Sequence, residues 1–171
     1  MTKKIKVLHV IASLGNGGAE RQLVELLKKN QQHAVILLND ASIYKDALDT
    51  YGIQYYELKA KYKFFIFLKI PTFINILKKF NPDIIQTWMY NSCFFISLLK
   101  LLKIFDKPLI WSIRCSDMQT KYYSFSFKCS LIACRFLSKI SNKIIYNSYS
   151  GMIYHKKIGF SSKTTKVVFN G

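Results

Sequence analysis

The chain has 171 residues, half of them hydrophobic and 15% aromatic, with 26 Lys and Arg against nine Asp and Glu and a formal net charge of +17. That length suits one domain burying about 70% of the surface its unfolded chain would expose, and the apolar content excludes general disorder. The charge favours anionic partners, yet Arg21, Arg114 and Arg135 are the only arginines, and nucleic-acid readout draws on Arg, so nucleic acid is disfavoured and much of the lysine excess reads as solvated faces.

Strand and helix signals alternate from the start. Ile5 to Ala12 is a nearly continuous apolar run, suited to a parallel strand buried on both faces. A glycine-rich turn follows, and Ala19 to Asn30 then carries Leu23, Leu26 and Leu27 at helical spacing, with Glu20 in the first turn and Lys28 and Lys29 in the last, opposing the helix macrodipole. Ala34 to Leu38 reads as a second buried strand, Tyr44 to Tyr51 as a short helix stopped by Gly52, and Ile53 to Leu58 as a third strand. Pro71 to Phe80 predicts a helix closed by Asn81-Pro82, and Asp83 to Thr87 a strand. Ser92 to Phe105 is apolar and helical, but Lys100 and Lys103 interrupt it short of the roughly 20 residues a membrane span needs. Leu109 to Ile113, Lys143 to Tyr146 and Lys166 to Phe169 read as strands, and Phe125 to Ser138 and Tyr149 to Lys157 as helices. The alternation predicts an α/β fold, a doubly wound parallel, Rossmann-like sheet in a single domain over 1–171.

Cys93, Cys115, Cys129 and Cys134 form no C-x-x-C pair, and His9, His33 and His155 are not clustered with them, so no metal site is expected. Lys6 and His9 break the first apolar run, unlike a signal peptide. Reduced thiols in the cytoplasm are the simplest reading.

The turn between the first strand and the first helix, Leu14-Gly15-Asn16-Gly17-Gly18, places free backbone N–H groups at a helix N-terminus, where anions are attracted. Its glycines have two possible jobs: to allow positive φ in a tight turn, or to let a ligand reach the backbone without meeting a Cβ. The spacing alone leaves both open. A dinucleotide fingerprint starting at Gly15 would need glycine where Glu20 stands, although Asp40 ends the second strand where a ribose-binding acid belongs. No Lys-Ser or Lys-Thr follows the glycines as a P-loop requires.

Ligands of such sheets bind beyond the carboxyl ends of the strands. The exits carry Ser13 to Gly18, Asn39-Asp40, Thr87-Trp88-Met89-Tyr90-Asn91, Arg114-Cys115-Ser116-Asp117, Asn147-Ser148 and Asn170-Gly171. Through HVIASLGNGGAERQL, NPDIIQTWMYNS, IWSIRCSDM, IIYNS and KVVFNG, in that order, the whole chain resembles the N-terminal, acceptor-side domain of GT-B glycosyltransferases of family 4. The resemblance implies transfer of a sugar from a nucleotide donor, expected to be a UDP-sugar, with no further cofactor. It places Gly15, Asn16, Gly17 and Gly18 at the donor diphosphate, with Gly17 and Gly18 nearest.

At the exit where many relatives carry a histidine near the reacting sugar, this chain has Arg114, which cannot serve as a base but can clamp a phosphate or a hydroxyl. Asp117 is placed to accept a proton or orient an acceptor hydroxyl; the alternative is a structural Arg114–Asp117 ion pair. Trp88, Tyr90 and Asn91 would bind the acceptor, the aromatic rings either stacking on a sugar or closing the core. Asn147-Ser148 matches a family step whose simpler role is to cap the next helix.

The segment 59–69 carries Lys61, Lys63, Phe64, Phe65, Phe67 and Lys69. It reads either as a basic, aromatic wedge for an anionic membrane surface, which would suit a lipid-linked acceptor, or as a core-facing helix edged by lysines. Members of the family continue into a second domain that grips the donor. The expectation is therefore an acceptor-binding half, peripheral at the inner face of the membrane, acting in bacterial surface polysaccharide, lipopolysaccharide or lipid-linked glycan synthesis. Its donor domain is absent from this chain or supplied by a separate one, and the half is inactive alone. The rival is a non-catalytic membrane-surface or partner-binding module on a relic of that fold.

Overall fold

In the computed structural model the described residues are 4–30, 32–40, 43–60, 63–116, 125–161 and 163–170. They form seven strands, β1 (Val7–Ile11), β2 (Ala34–Leu37), β3 (Gln54–Glu57), β4 (Ile84–Trp88), β5 (Leu109–Ile113), β6 (Lys143–Tyr146) and β7 (Thr165–Val167). Between them lie α1 (Gly18–Lys29), α2 (Lys45–Thr50), α3 (Ile70–Phe80), α4 (Met89–Leu101), α5 (Phe125–Leu137) and α6 (Tyr149–Lys157). The strand order is β3-β2-β1-β4-β5-β6-β7, the 3-2-1-4-5-6 order of doubly wound folds with a seventh strand added. The α/β, Rossmann-like class expected from the alternation is the one observed. The chain divides into two compact units, 1–86 and 87–171.

In the first unit β1, β2 and β3 pair in parallel, with Leu8 opposite Ala34 and Ala34 opposite Gln54. Every residue of β2 is buried, as its unbroken apolar run requires. β3 reads Gln-Tyr-Tyr-Glu and is only half-covered, which fits its place at the edge of the order. Ala19, Leu23, Val24 and Leu27 form the buried face of α1. A 3-10 helix over Lys63–Lys69 leads into α3, whose first turn holds Pro71 and whose end is the left-handed Asn81 before Pro82. Lys6 and Asp83 tie the start of β1 to the start of β4, the Lys6 N–H donating to Asp83 Oδ2 at 2.9 Å.

In the second unit β5, β6 and β7 are parallel. Trp111 is fully buried, and its indole N–H donates to Ser97 Oγ of α4 at 3.0 Å, satisfying the ring's one polar atom. Asn142 Oδ1 accepts from the Leu109 N–H at 2.9 Å and fixes the entry to β6.

Several boundaries differ from the sequence expectation. β1 starts at Val7 because Ile5 is 56% exposed. α4 begins at Met89 and not Ser92, since β4 passes straight into it through Trp88 and Met89 takes φ 63°. It ends at Leu101, with Lys103 left-handed just beyond. The last strand is Thr165–Val167, and Val168 and Phe169 lie exposed after it.

Candidate functional site

Because β1 and β2 run in parallel register, the chain leaves both at one edge of the first unit, and the glycine turn stands there. Leu14 is fully buried and anchors the turn, while Asn39 N–H donates to Ala12 O at 2.8 Å and binds the two exits together. Gly17 N–H donates to Gly15 O at 3.0 Å, and Arg21 N–H donates to Gly17 O at 3.1 Å as α1 opens.

Gly17, the residue preceding α1, is extended at φ −118°, ψ 159°, and no side chain caps the helix there. Among the described glycines only Gly52 and Gly159 have positive φ. The turn therefore does not use its glycines for a left-handed backbone. A Cβ at Gly15 or at Gly18 would meet nothing within 4 Å, so both face open space. A Cβ at Gly17 would run into the Glu20 carboxylate, which lies over the helix N-terminus. Chemically the turn is an accessible backbone surface at a positive dipole end, with the Glu20 carboxylate beside Gly17. Next to it, Asn39 and Asp40 line a cavity of about 410 Å³ with Lys59 and Ala60.

In the second unit, Arg114 leaves β5 with its guanidinium stacked over the Trp88 ring at 5.1 Å. Its Nη1 donates to Asn170 Oδ1 at 2.8 Å and to Val168 O at 3.3 Å. Its Nε is buried with no hydrogen-bond partner, as are Asn147 Oδ1 at the β6 exit and Tyr146 Oη at the end of β6. Burial lowers the Arg114 pKa. A guanidinium held on two sides with a free N–H is suited to clamping an oxyanion or a hydroxyl. Ser148 Oγ accepts from the Gly151 N–H at 3.0 Å, the cap expected for α6.

Trp88 and Tyr90 are 1% and 2% exposed, so both rings are core residues, while Asn91 is half-buried in the first turn of α4. Met89 between them has a left-handed backbone, which for a residue with a Cβ costs roughly 1–2 kcal/mol. No sequence signal marks this strained point, because Met has no turn preference.

The sequence sets His155 apart from the cysteines and gives it no further role. It is fully buried, with Nδ1 2.6 Å from Gly151 O and Nε2 2.6 Å from Tyr90 Oη. A carbonyl only accepts, so Nδ1 carries the proton and Nε2 receives the Tyr90 hydroxyl. Burial lowers the His155 pKa and raises that of Tyr90, keeping both neutral.

Asp117 and Lys61 lie outside the described residues, as do the side chains of Lys63, Phe64 and Phe65. Of the remainder of that segment, Phe67 and Lys69 are half-buried and Leu68 is 70% exposed. Among the described residues no three of His, Cys, Asp and Glu gather as a metal site would need, and no helix is long and apolar enough to cross a membrane.

No protein-family model matches the chain, and no curated protein matches it in sequence. Solved structures do match in shape. The UDP-glucose complex of Anabaena Alr3699/HepE superposes with a TM-score of 0.75 at 19% identity, covering 98% of this chain and 44% of that one. The lipopolysaccharide outer core galactosyltransferase WaaB, in its apo form, gives 0.68 at 15% identity over 96% and 45% of the two chains. A UDP-N-acetylglucosamine 2-epimerase from Rickettsia bellii gives 0.61 at 19% identity over 97% and 45%. The chain spans less than half the length of these proteins. At such identities the likeness establishes architecture: the chain has the fold of the N-terminal half of GT-B glycosyltransferases.

Proposed function

We propose that this chain is the acceptor-side half of a nucleotide-sugar-dependent glycosyltransferase, of the family 4 kind that its motifs resemble. The observation that carries the reading is the glycine turn. Gly15 and Gly18 have no steric or φ requirement to be glycine within the protein itself, and they stand at a helix N-terminus on a fold shared with a protein crystallised with UDP-glucose. The donor would be a UDP-sugar, its diphosphate lying against Gly17 and Gly18. Backbone N–H groups and the α1 dipole would stabilise the charge that grows on the departing nucleoside diphosphate. Arg114 would clamp a phosphate or hydroxyl oxygen through its free Nε, and Asp117 would orient the acceptor hydroxyl. Asn91 is the member of the Trp88, Tyr90 and Asn91 trio left to meet an acceptor. A bacterial surface or lipid-linked glycan is the product class this reading assigns. As the chain matches under half of each structural neighbour, the 171 residues by themselves are expected to bind without turning over.

Calorimetric titration with UDP tests the reading, and Gly18→Ala is its discriminating variant. Ala at the first position of α1 meets no protein atom, so the fold should be held or gain about 0.4–1 kcal/mol from reduced unfolded-state entropy. UDP affinity should nevertheless drop about tenfold, because the new methyl occupies the space the phosphate needs. Unchanged UDP binding in Gly18→Ala, or none in the parent chain, would favour the non-catalytic partner-binding alternative.

A further inference from the structure

At the end of the first unit where its strands begin, away from the glycine turn, lysines gather. Lys4 and Lys6 precede β1, Lys28 and Lys29 close α1, and Lys79 lies in the last turn of α3. Lys4, Lys28, Lys29 and His33 line a groove of about 800 Å³, and Lys4, Lys6 and Lys79 line a second of about 470 Å³. The two share Lys4 and Gln32 and so adjoin. Two of the ammonium groups are held in place. Lys28 Nζ pairs with Glu25 at 2.9 Å and lies 4.5 Å from the centre of the Tyr51 ring, while Lys6 Nζ donates to Phe80 O and stands 4.6 Å from the centre of that ring. Among the described residues no carboxylate pairs with Lys4, Lys29 or Lys79.

The larger groove has a wall that a merely solvated lysine face lacks. His33, half-buried just ahead of β2, holds its Nδ1 3.2 Å from Nε2 of the fully buried His9, with the ring centres 5.2 Å apart. Its own Nε2 has no partner among the described residues and is the ring's remaining site for a ligand. Burial lowers the pKa of both imidazoles and keeps them neutral while the groove is empty. The titratable groups around His33 are His9 from β1, Lys4 from the segment before it, and Lys28, Lys29 and Glu25 from α1, a mainly cationic set that further disfavours a proton there. An anion in the groove reverses that balance. Once protonated, His33 donates through Nδ1–H to His9 Nε2 and through Nε2–H to the anion, the proton coming from the buffer.

We propose that the two grooves together bind a polyphosphate chain, either the free inorganic anion or the tail of a nucleoside triphosphate, and that His33 takes up a proton as the site fills. Lysine meets phosphate as a point charge, without the planar fork that bidentate recognition uses. An extended anion reaches cations in both adjoining grooves, which a single phosphate group cannot span. The site stands at the opposite end of β1 from Gly15–Gly18 and does not rest on the sugar-nucleotide reading.

Calorimetric titration of the full chain with sodium tripolyphosphate is the test, near pH 7, at fixed ionic strength and with excess UDP present to occupy the glycine turn. Run in HEPES and in Tris, the two heats should differ by the uptake of part of one proton, because the buffers differ in ionisation enthalpy. The His33 ring signals should move to imidazolium positions at saturation. Lys4→Ser with Lys29→Ser, both exposed, should weaken binding about tenfold or more. His33→Gln should weaken it about threefold to tenfold and remove the difference between buffers, and both variants should keep the far-UV circular dichroism and UDP titration of the parent. The same His33 shift with ATP assigns the chain to a nucleoside triphosphate; a response to tripolyphosphate alone assigns it to the free anion. The proposal is overturned by an absence of tripolyphosphate binding, by equal heats in the two buffers with unmoved His33 signals, or by a paired lysine variant that binds as the parent does. Sulfate binding as tightly as tripolyphosphate would reduce the effect to general charge screening and overturn it too.

Discussion

His9 sits within β1 with its ring fully buried and its Nε2 3.2 Å from Nδ1 of His33, so one of the two imidazoles donates to the other. Burial, and secondarily the neighbouring His33, push its pKa down to about 3. Burial lowers His33 and His155 as well. An unfolded histidine protonates near pH 6.5, so below that value the unfolded chain takes up protons that the folded chain refuses. Stability is therefore complete above about pH 6.5 and falls as the solution is acidified, for His9 down to about pH 3. The urea midpoint should be lower at pH 5 than at pH 7, and the ring nitrogens of His9 should show neutral chemical shifts down to about pH 4; a titration of His9 near 6.5 would refute the burial argument. At this scale the sequence showed residue identity but not environment. His9 looked like an interruption of an apolar run, and Gly15 and Gly18 looked equally like turn formers and ligand-facing residues until their φ values and open Cβ positions were known.

The α6 helix separates local propensity from packing. Its cap was legible, since Ser148 precedes a helical run, and Ser148 Oγ does accept the Gly151 N–H. Ser148→Ala should cost about 1 kcal/mol in urea unfolding. Gly151, three residues on, would by propensity alone gain about 1 kcal/mol on replacement by Ala. Packing reverses that sign, because a Cβ there would lie 2.8 Å from Cys115 O and 3.3 Å from Ser116 Cα, both backbone atoms. Gly151→Ala should therefore destabilise by about 1–3 kcal/mol, and a stabilised variant would show that the β5 exit yields freely. The start of α4 was misplaced for a related reason. Nothing in Trp88-Met89-Tyr90 announces a turn, and the sharp strand-to-helix junction is held by burial of the flanking rings, at the expense of a left-handed Met89.

For the molecule as a whole, a net charge of +17 over 171 residues implies appreciable self-repulsion in the compact state. Lys28 pairs with Glu25 at 2.9 Å and Lys59 with Glu57 at 3.6 Å, both partly open to solvent, and such pairs offset little of it. The melting temperature should rise as NaCl increases from about 0.02 to 0.3 M, where screening shortens the range of repulsion; a fall over that interval would mean that attractive pairs dominate. The strand and helix alternation, the glycine turn, the caps at Ser148 and Asn81 and the charge excess were all determined by the sequence, because each depends on neighbours within one or two turns of chain. Only the tertiary structure decided that Trp88 and Tyr90 are core, that Arg114 is held by Val168 and Asn170 more than fifty residues away, and that α5 keeps a second apolar face uncovered. Periodicity shows that a face is apolar. What covers it depends on which distant segment packs there, and that is settled only when the strands have taken their order in the sheet.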